Sequence, residues 1–352
     1  MGGITAKVTK QAFAKFGANS WGVPTSVTKG VYFASDGGLG FKPTIVDDEA
    51  FGQTFIQESE VGDIAAESPN WTQEARYDDY SYILQALAMG SPAAVTISTS
   101  ASGQTTSWLH QFDLADVIDG LGITFAIDKQ QYVEELTSAK IHGFSFADGN
   151  GGILMAGYKL TGGKTTILSS TNINSTLATA TFPALGNRIF TKHGTFRMNK
   201  QSAIALASGD AVKIENFKVE FNRPQDAPMV HGQDYIDEPC DQGYPTIAVD
   251  VTYPRMNTVS ANSLRSGLRD ATTFKADYTS LGAFINSTDQ YKQLWQFPDL
   301  QLDSFEAAVT GGNQVKPKAR FRARLASTSP AGMAFVRPFR LTRIMSQSLV
   351  AF

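Results

Sequence analysis

Four histidines, His110, His142, His193 and His231, and a single cysteine, Cys240, are the side chains of this 352-residue chain best suited to metal or nucleophilic chemistry. The histidines are scattered, with none in the H-x-x-H or H-E-x-x-H spacing that puts two imidazoles on one helix face. His110 has Asp113 nearby but no nucleophile motif, and G-x-S-x-G is absent. Asp148-Gly149-Asn150-Gly151 has the outline of a calcium loop but lacks its distal Glu, and reads better as a turn. Gly37-Gly38-Leu39-Gly40 is not followed by a helical pattern, so it does not read as a phosphate loop. Cys240, being alone, forms no internal disulfide and reads as a small buried apolar residue. These spacings give no catalytic constellation, no metal site and no cofactor site, and the expectation is that the chain is not an enzyme.

The charged residues carry more information. Lys318, Arg320, Arg322 and Arg324 alternate with Ala319, Phe321, Ala323 and Leu325, which puts four cations on one face of one strand. Arg337, Arg340 and Arg343 follow, and no Asp or Glu occurs from Val315 to Phe352. Four cations in a row repel one another unless something negative lies opposite. The stretch from Asp47 to Asp79 has the reverse character: Asp47, Asp48, Glu49, Glu58, Glu60, Asp63, Glu67, Glu74, Asp78 and Asp79 face only Arg76. The basic ladder reads either as a solvated, edge-protecting face or as one half of a complementary contact with the acidic stretch. Within one subunit that contact is an internal pairing. Between subunits it is heterologous, and such contacts close into rings or run on as filaments. Arg320-Phe321-Arg322-Ala323-Arg324 also has the basic and aromatic interleaving of nucleic-acid faces, but a net charge of -3 and a pI near 5.8 supply no global attraction to nucleic acid or anionic membrane.

The elements that position these charges are mostly strands. Thr137 to Leu160 reads as two alternating strands around Asp148-Gly149-Asn150-Gly151-Gly152, a hairpin by local chemistry. Asp299 to Leu325 repeats the plan around Thr310-Gly311-Gly312-Asn313. Pro245 to Tyr253 echoes Asn70 to Tyr77, and Phe335 to Ile344 echoes Ile214 to Asn222 with Phe339 in the place of Phe217. These echoes point to an internal duplication. One convincing helix follows Asp78 and Asp79, with Tyr80, Ile83, Leu84 and Leu87 as its stripe and Gly90 and Pro92 as its stop; a weaker one is expected near Asn262 to Arg269. Val95 to Phe112 reads as a pair of Thr/Ser-rich strands and Ile123 to Ile127 as another strand.

The expected organisation is an N-terminal arm or edge strand at 1–45, a first domain at 46–223 with a long loop or protruding hairpin inserted at 161–200, a linker at 224–243, and a second domain at 244–352. With 42% hydrophobic and 18% charged residues the chain can bury real cores. The N-terminus shows no signal-peptide core and no stretch approaches the roughly 18 apolar residues of a membrane span, so neither secretion nor a membrane anchor is expected.

Taken together, the chain resembles a phage tail tube protein of the long-tailed (siphovirus) type, in the form with two tube domains per chain. The residues that carry the resemblance are Trp108 to Phe112 leading into Thr124 to Ile127, the hairpin Ala139 to Leu160, its sequel Asp210 to Arg223, and their echoes at 299–325 and 335–344. The resemblance implies a mainly β fold, a duplicated β-sandwich or half-barrel with one flanking helix per domain, whose sheets join into a closed inner barrel. It implies rings of three chains with pseudo-sixfold symmetry, stacked into a virion tube assembled in the host cytoplasm. The implied partners are other copies of the chain and the tape measure, tail terminator and tail tip proteins, with DNA passing through the lumen without sequence-specific binding. On this reading Lys318, Arg320, Arg322, Arg324, Arg337, Arg340 and Arg343 belong to a ring or subunit interface, facing acids such as Glu58, Glu60, Asp63 and Glu67. The competing reading is a two-domain β ligand-binding, adhesin or tail-tip module, which calls for aromatic side chains clustered on an exposed face; Trp21, Trp71, Trp108 and Trp295 are instead spread along the chain.

Overall fold

A computed structural model describes residues 10–16, 21–33, 39, 43–47, 59–64, 70–90, 106–118, 120–167, 170–184, 186–255, 264, 266–307 and 315–347. The fold is mainly β, with one large antiparallel sheet and two short helices. The first strands are β1 (Lys10–Phe16), β2 (Lys29–Val31), β3 (Pro43–Asp47), β4 (Ser59–Ile64) and β5 (Asn70–Glu74), followed by helix α1 (Ser81–Ala88). Then come β6 (Trp108–Asp113), β7 (Gly122–Asp128), β8 (Val133–Asp148), β9 (Leu154–Gly162), β10 (Thr165–Thr166), β11 (Gly194–Lys200), β12 (Ala211–Val212), β13 (Asn216–Asn222), β14 (Gln225–Asp226) and β15 (Cys240–Asp241). The last are β16 (Thr246–Thr252), β17 (Thr273–Phe284), β18 (Gln290–Glu306), β19 (Lys318–Ala323) and β20 (Arg340–Met345). Leu264 and residues 266–269 are helical, where the weaker helix is expected.

Two-residue periodicity decides which way these strands face. In β13 Phe217, Val219 and Phe221 are buried while Lys218 and Glu220 point outward. In β16 Ile247, Val249 and Val251 are buried, and in β19 Ala319, Phe321 and Ala323, with Lys318, Arg320 and Arg322 exposed. A register slip of one residue in any of them would put its apolar set in water.

The central path of the sheet runs β5-β9-β8-β13-β16-β19-β18, every pair antiparallel. β16 pairs with β19 and β19 with β18, as β5 pairs with β9 and β9 with β8, so the two halves repeat one three-strand order. β13 joins them by pairing with β8 on one side and β16 on the other. The linker therefore bridges two strands that are themselves zipped together.

β8 and β18 are each shared between two sets of partners. The first half of β8 pairs with β7 and β10 and its second half with β9 and β13. The first half of β18 pairs with β17 and β20 and its second half with β19. The changeover in β8 is marked by a register shift between Ile141 and Gly143, and bulges of this kind bend a strand so that it can serve two packed layers. β5 and β7 share no ladder, yet Trp71 stacks on Phe125 with centroids 3.7 Å apart; Phe217 of β13 stacks on Tyr278 of β17 at 4.1 Å. Such face-to-face contacts give the fold its sandwich-like character. A Cβ on Gly143 would sit 2.9 Å from the Phe221 carbonyl oxygen, so β13 can approach β8 there only because residue 143 has no side chain. Gly143→Ala is expected to cost about 1–3 kcal/mol in urea unfolding, by forcing these strands apart.

α1 lies where the sequence places it, and Gly90 stops it at φ +71. It is buried on every side rather than amphipathic: Gln85 donates to the Tyr158 hydroxyl (2.9 Å), and Tyr82 packs near His110.

Three expectations are corrected. The 161–200 insertion is not only loop, because β11 runs antiparallel to β17 and so becomes a strand of the second half. β20 does not take the place of β13: β13 pairs with the second half of β8, whereas β20 pairs with the first half of β18 and with β6. Within the first 45 residues, β2 is an edge strand as expected, but β1 is not, since it lies inside the sheet between β7 and β2. The Thr/Ser-rich pair expected at 95–112 falls largely outside the described residues, and only β6 is seen.

Candidate functional site

The outward face of the β9-β8-β13-β16-β19-β18 path lies opposite the apolar core and is charged from β13 to β18, with the small or apolar Gly143, Ala147, Met155, Gly157 and Ala248 set among its polar residues. Strand register fixes its rows. Lys218 lies opposite Asp250, which lies opposite Arg320; one step along, Glu220 lies opposite Ala248, which lies opposite Arg322. Lys159 reaches across to Glu220 at 3.1 Å, and Lys218 contacts the other carboxylate oxygen at 2.9 Å. Held first by the Lys218 hydrogen bond, with Lys159 adding to it, the Glu220 carboxyl is pulled down to about 2. Arg320 contacts Asp250 at 3.4 Å, and Arg322 contacts Asp303 at 3.2 Å. Lys159, Glu220, Asp303, Arg320 and Arg322 border a groove of about 460 Å³ across the junction of the two halves.

The residues singled out by sequence separate into four situations. Lys318, Arg320 and Arg322 stand together on the exposed face, as the two-residue spacing requires. Arg324 turns to Gln301 (2.8 Å) and Asp299 (3.3 Å) at the end of the same ladder. Arg337 pairs with Asp116, and Arg340 makes a two-pronged pair with Asp113 of β6 at 2.6 and 2.7 Å while lying over the Phe335 ring. Arg343 is only 1% exposed and is not a surface residue at all; its assignment to an interface is corrected. It donates to the Arg76 carbonyl (2.7 Å) and Gln293 (3.0 Å), with Asp79 3.9 Å away.

Of the expected acidic counterparts, only Glu60 and Asp63 fall on a described strand. Glu58 and Glu67 lie outside the described residues. Glu60 is exposed on β4 and Asp63 belongs to the same strand, in a β3-β4 hairpin that pairs with no other described strand. The partners are instead Asp250, Asp303, Asp299, Asp116 and Asp113, close in the fold and missed in the sequence because they come from strands on either side. A signal for two of the face residues existed in the alternation of Asn216 to Asn222, which puts Lys218 and Glu220 opposite the buried Phe217, Val219 and Phe221.

Among the described residues no three His, Cys, Asp or Glu side chains come together as a cation site. His110 is buried, and His142 is held below its ordinary range first by burial and then by Lys159. Cys240 is exposed rather than buried, contrary to its reading as a core residue. Trp71 and Trp295 are fully buried, and Trp21 donates its indole N–H to the Ile236 carbonyl at 3.0 Å. No family model matches this sequence, and no curated protein matches it.

Proposed function

We propose that this chain is a self-assembling structural protein of the phage tail tube type, with the polar face just described as the wall of its channel. The observation that carries the reading is the continuous path of seven antiparallel strands, apolar on one face and largely polar on the other. Side-by-side joining of such sheets closes a barrel and removes exposed strand edges. The repeated strand order in the two halves supports two tube domains per chain and a ring of three chains. Such a protein sits in the virion tail, with further copies, tape measure, terminator and tip proteins as neighbours and DNA as the passing cargo.

The pairing of charges addresses the difficulty posed by a basic ladder in a DNA conduit. Unpaired cations would bind phosphates with release of counterions and hold the duplex. Here Arg320 and Arg322 are each matched by a carboxylate on an adjacent strand, and Lys159 and Lys218 share the Glu220 carboxylate, leaving a mosaic that offers a polyanion little to grip.

Negative-stain electron microscopy of the purified protein at rising concentration tests the proposal. Rings or stacked tubes with a central channel are expected; monomers or dimers at every concentration would rule it out and favour the ligand-binding module. The double variant R320E/R322E breaks only exposed pairs, each worth about 0–1 kcal/mol, so its thermal midpoint should change little. It is expected still to assemble, since both side chains face the channel. Loss of tubes with the fold intact would return Arg320 and Arg322 to a subunit boundary.

A further inference from the structure

We infer that the two ends of the central strands are the mating surfaces of a head-to-tail contact between copies of this chain: a cationic rim with Lys213, Arg255 and Lys318 seats on an acidic, aromatic rim with Asp226, Asp237 and Tyr244. The inference rests on the tube reading above, and supplies the contact by which one ring would stack on the next.

Register places the two rims at opposite ends of the sheet. At one end Asn216 begins β13, Thr252 ends β16, Lys318 begins β19 and Glu306 ends β18; Asn216 is opposite Thr252, Thr252 opposite Lys318, and Lys318 opposite Glu306. Just beyond this line the chain carries Lys213, Glu215, Arg255 and Lys316, all exposed. Lys316 takes Glu215 at 2.5 Å, which leaves Lys213, Arg255 and Lys318 with Glu306 as the one remaining acid among these residues. The excess is positive.

At the other end Asn222 closes β13 and Thr246 opens β16, opposite each other. The segment between them, 224–243, leaves and re-enters the sheet at this end, and contains Asp226, Asp234, Asp237, Glu238 and Asp241 without a single Lys or Arg. Buried Lys140 holds Glu238 at 2.8 Å, buried Arg223 holds Asp241 at 2.7 Å, and Lys164 meets Asp234 at 3.1 Å. These pairs anchor the segment against the body, so it is a fixed surface rather than a loose linker. Asp226 and Asp237 remain exposed and, among the described residues, have no ion-pair partner. The excess here is negative. Beside it stand Tyr244, 91% exposed, and Leu325, 62% exposed. A large apolar ring held almost wholly in water next to unneutralised acids is the composition of an interface anchor with a charged rim.

Opposite charges at opposite ends favour a second copy of the chain in the same orientation. The contact is heterologous and leaves one free rim of each kind, so it propagates along the strand direction without closing. Like-charged ends would repel, which excludes head-to-head pairing and keeps the polarity of the stack uniform.

The test uses full-length variants with the rim charges reversed: K213E/R255E/K318E has two acidic rims, and D226K/D237K has two basic rims. Sedimentation and electron microscopy at low salt should find stacks for the wild type, none for either variant alone, and alternating stacks when the two variants are mixed. Y244A, which truncates one exposed side chain without changing the charge of its rim, should raise the concentration needed for stacking by ~10-fold or more; that variant decides the matter if a triple or double reversal fails to fold. Wild-type stacks matched by either reversed variant alone, or a mixture that stays unstacked, would overturn the rim assignment while leaving the tube reading in place. Wild-type protein that never associates would overturn both.

Discussion

Replacing Arg343 by Met is expected to destabilise the chain by about 3–5 kcal/mol, among the largest effects of any single substitution in the molecule. Arg343 sits in β20, fully enclosed, and its guanidinium is shared between the Arg76 carbonyl, Gln293 and the Asp79 carboxylate. Asp79 is itself 5% exposed and accepts hydrogen bonds from Gln73 (3.1 Å), the Ser81 backbone N–H (3.3 Å) and the Ser81 hydroxyl (2.6 Å). Burial pushes the Asp79 carboxyl up from its ordinary range, and Arg343 is the strongest influence holding it down. Without the arginine, Asp79 either stays charged in a buried site that has lost its closest cation or takes up a proton, and both cost free energy. D79N in the same background removes the stranded charge, so R343M/D79N should be more stable than R343M alone. Urea unfolding of the four proteins gives the coupling directly. A single R343M variant within about 0.5 kcal/mol of wild type would show that the cluster is not a keystone, given the size expected of such a change.

Arg343 also shows where the sequence was legible and where it was not. Its spacing from Arg337 and Arg340 looks like more of the same basic patch, and nothing in the local pattern distinguishes a solvated arginine from a buried one. The distinction comes from Asp79 and Gln293, which are remote in sequence and meet it only after β20 has paired with β18. The Lys318 to Arg324 ladder, by contrast, follows from alternation alone, since a strand with Ala319, Phe321 and Ala323 inside must put its cations outside. The hairpins β8-β9 and β18-β19 were readable for the same reason, along with β7 and α1. Partnership between strands far apart in the chain was not. β13 with β16, β6 with β20 and β11 with β17 are set by how the halves pack, and their carboxylates therefore came as the unforeseen partners of the foreseen cations.

Opposite charges on a folded chain also have to be separated from opposite charges in a sequence. The acidic Asp47 to Asp79 stretch splits into parts with different roles: Glu74 binds Arg76 and Arg188, Asp79 is interior, and Glu60 stands exposed on the β3-β4 hairpin, which pairs with no other described strand. The stretch 224–243 carries fewer acids, yet its anchored position at the end of the strands gives it a defined direction. Placement relative to the strand axis, and not the density of charge along the chain, decides which patches could mate between copies.

Lowering the pH from 7 to 4.5 is expected to remove about 2–3 kcal/mol of stability through His110 alone. His110 lies on β6 at 0% exposure, with its Nε2–H donating to the Gln347 carbonyl at 2.9 Å and Tyr82 and Phe112 beside its ring. Burial lowers it to about 4, against the partial support of that hydrogen bond, and nearby Arg343 adds to the depression. A histidine near 6.5 in the unfolded chain and about 4 in the folded one binds its proton first in the unfolded state. Its stabilisation is therefore complete above 6.5 and is lost as the pH falls from there towards 4. His142 and His193 are lowered as well, each chiefly by burial, and act in the same direction. Asp79 acts in the opposite one, because its raised carboxyl favours proton uptake by the folded state. H110Q keeps an amide donor for the Gln347 carbonyl and cannot titrate, so the difference between it and wild type isolates the one group. Its stability at pH 7 should be lower from imperfect packing, but its fall between pH 7 and 4.5 should be smaller than that of wild type by about 2–3 kcal/mol. Parallel pH profiles for the two proteins would mean that His110 titrates at an ordinary value, and that the β6-α1 interface admits water to its ring.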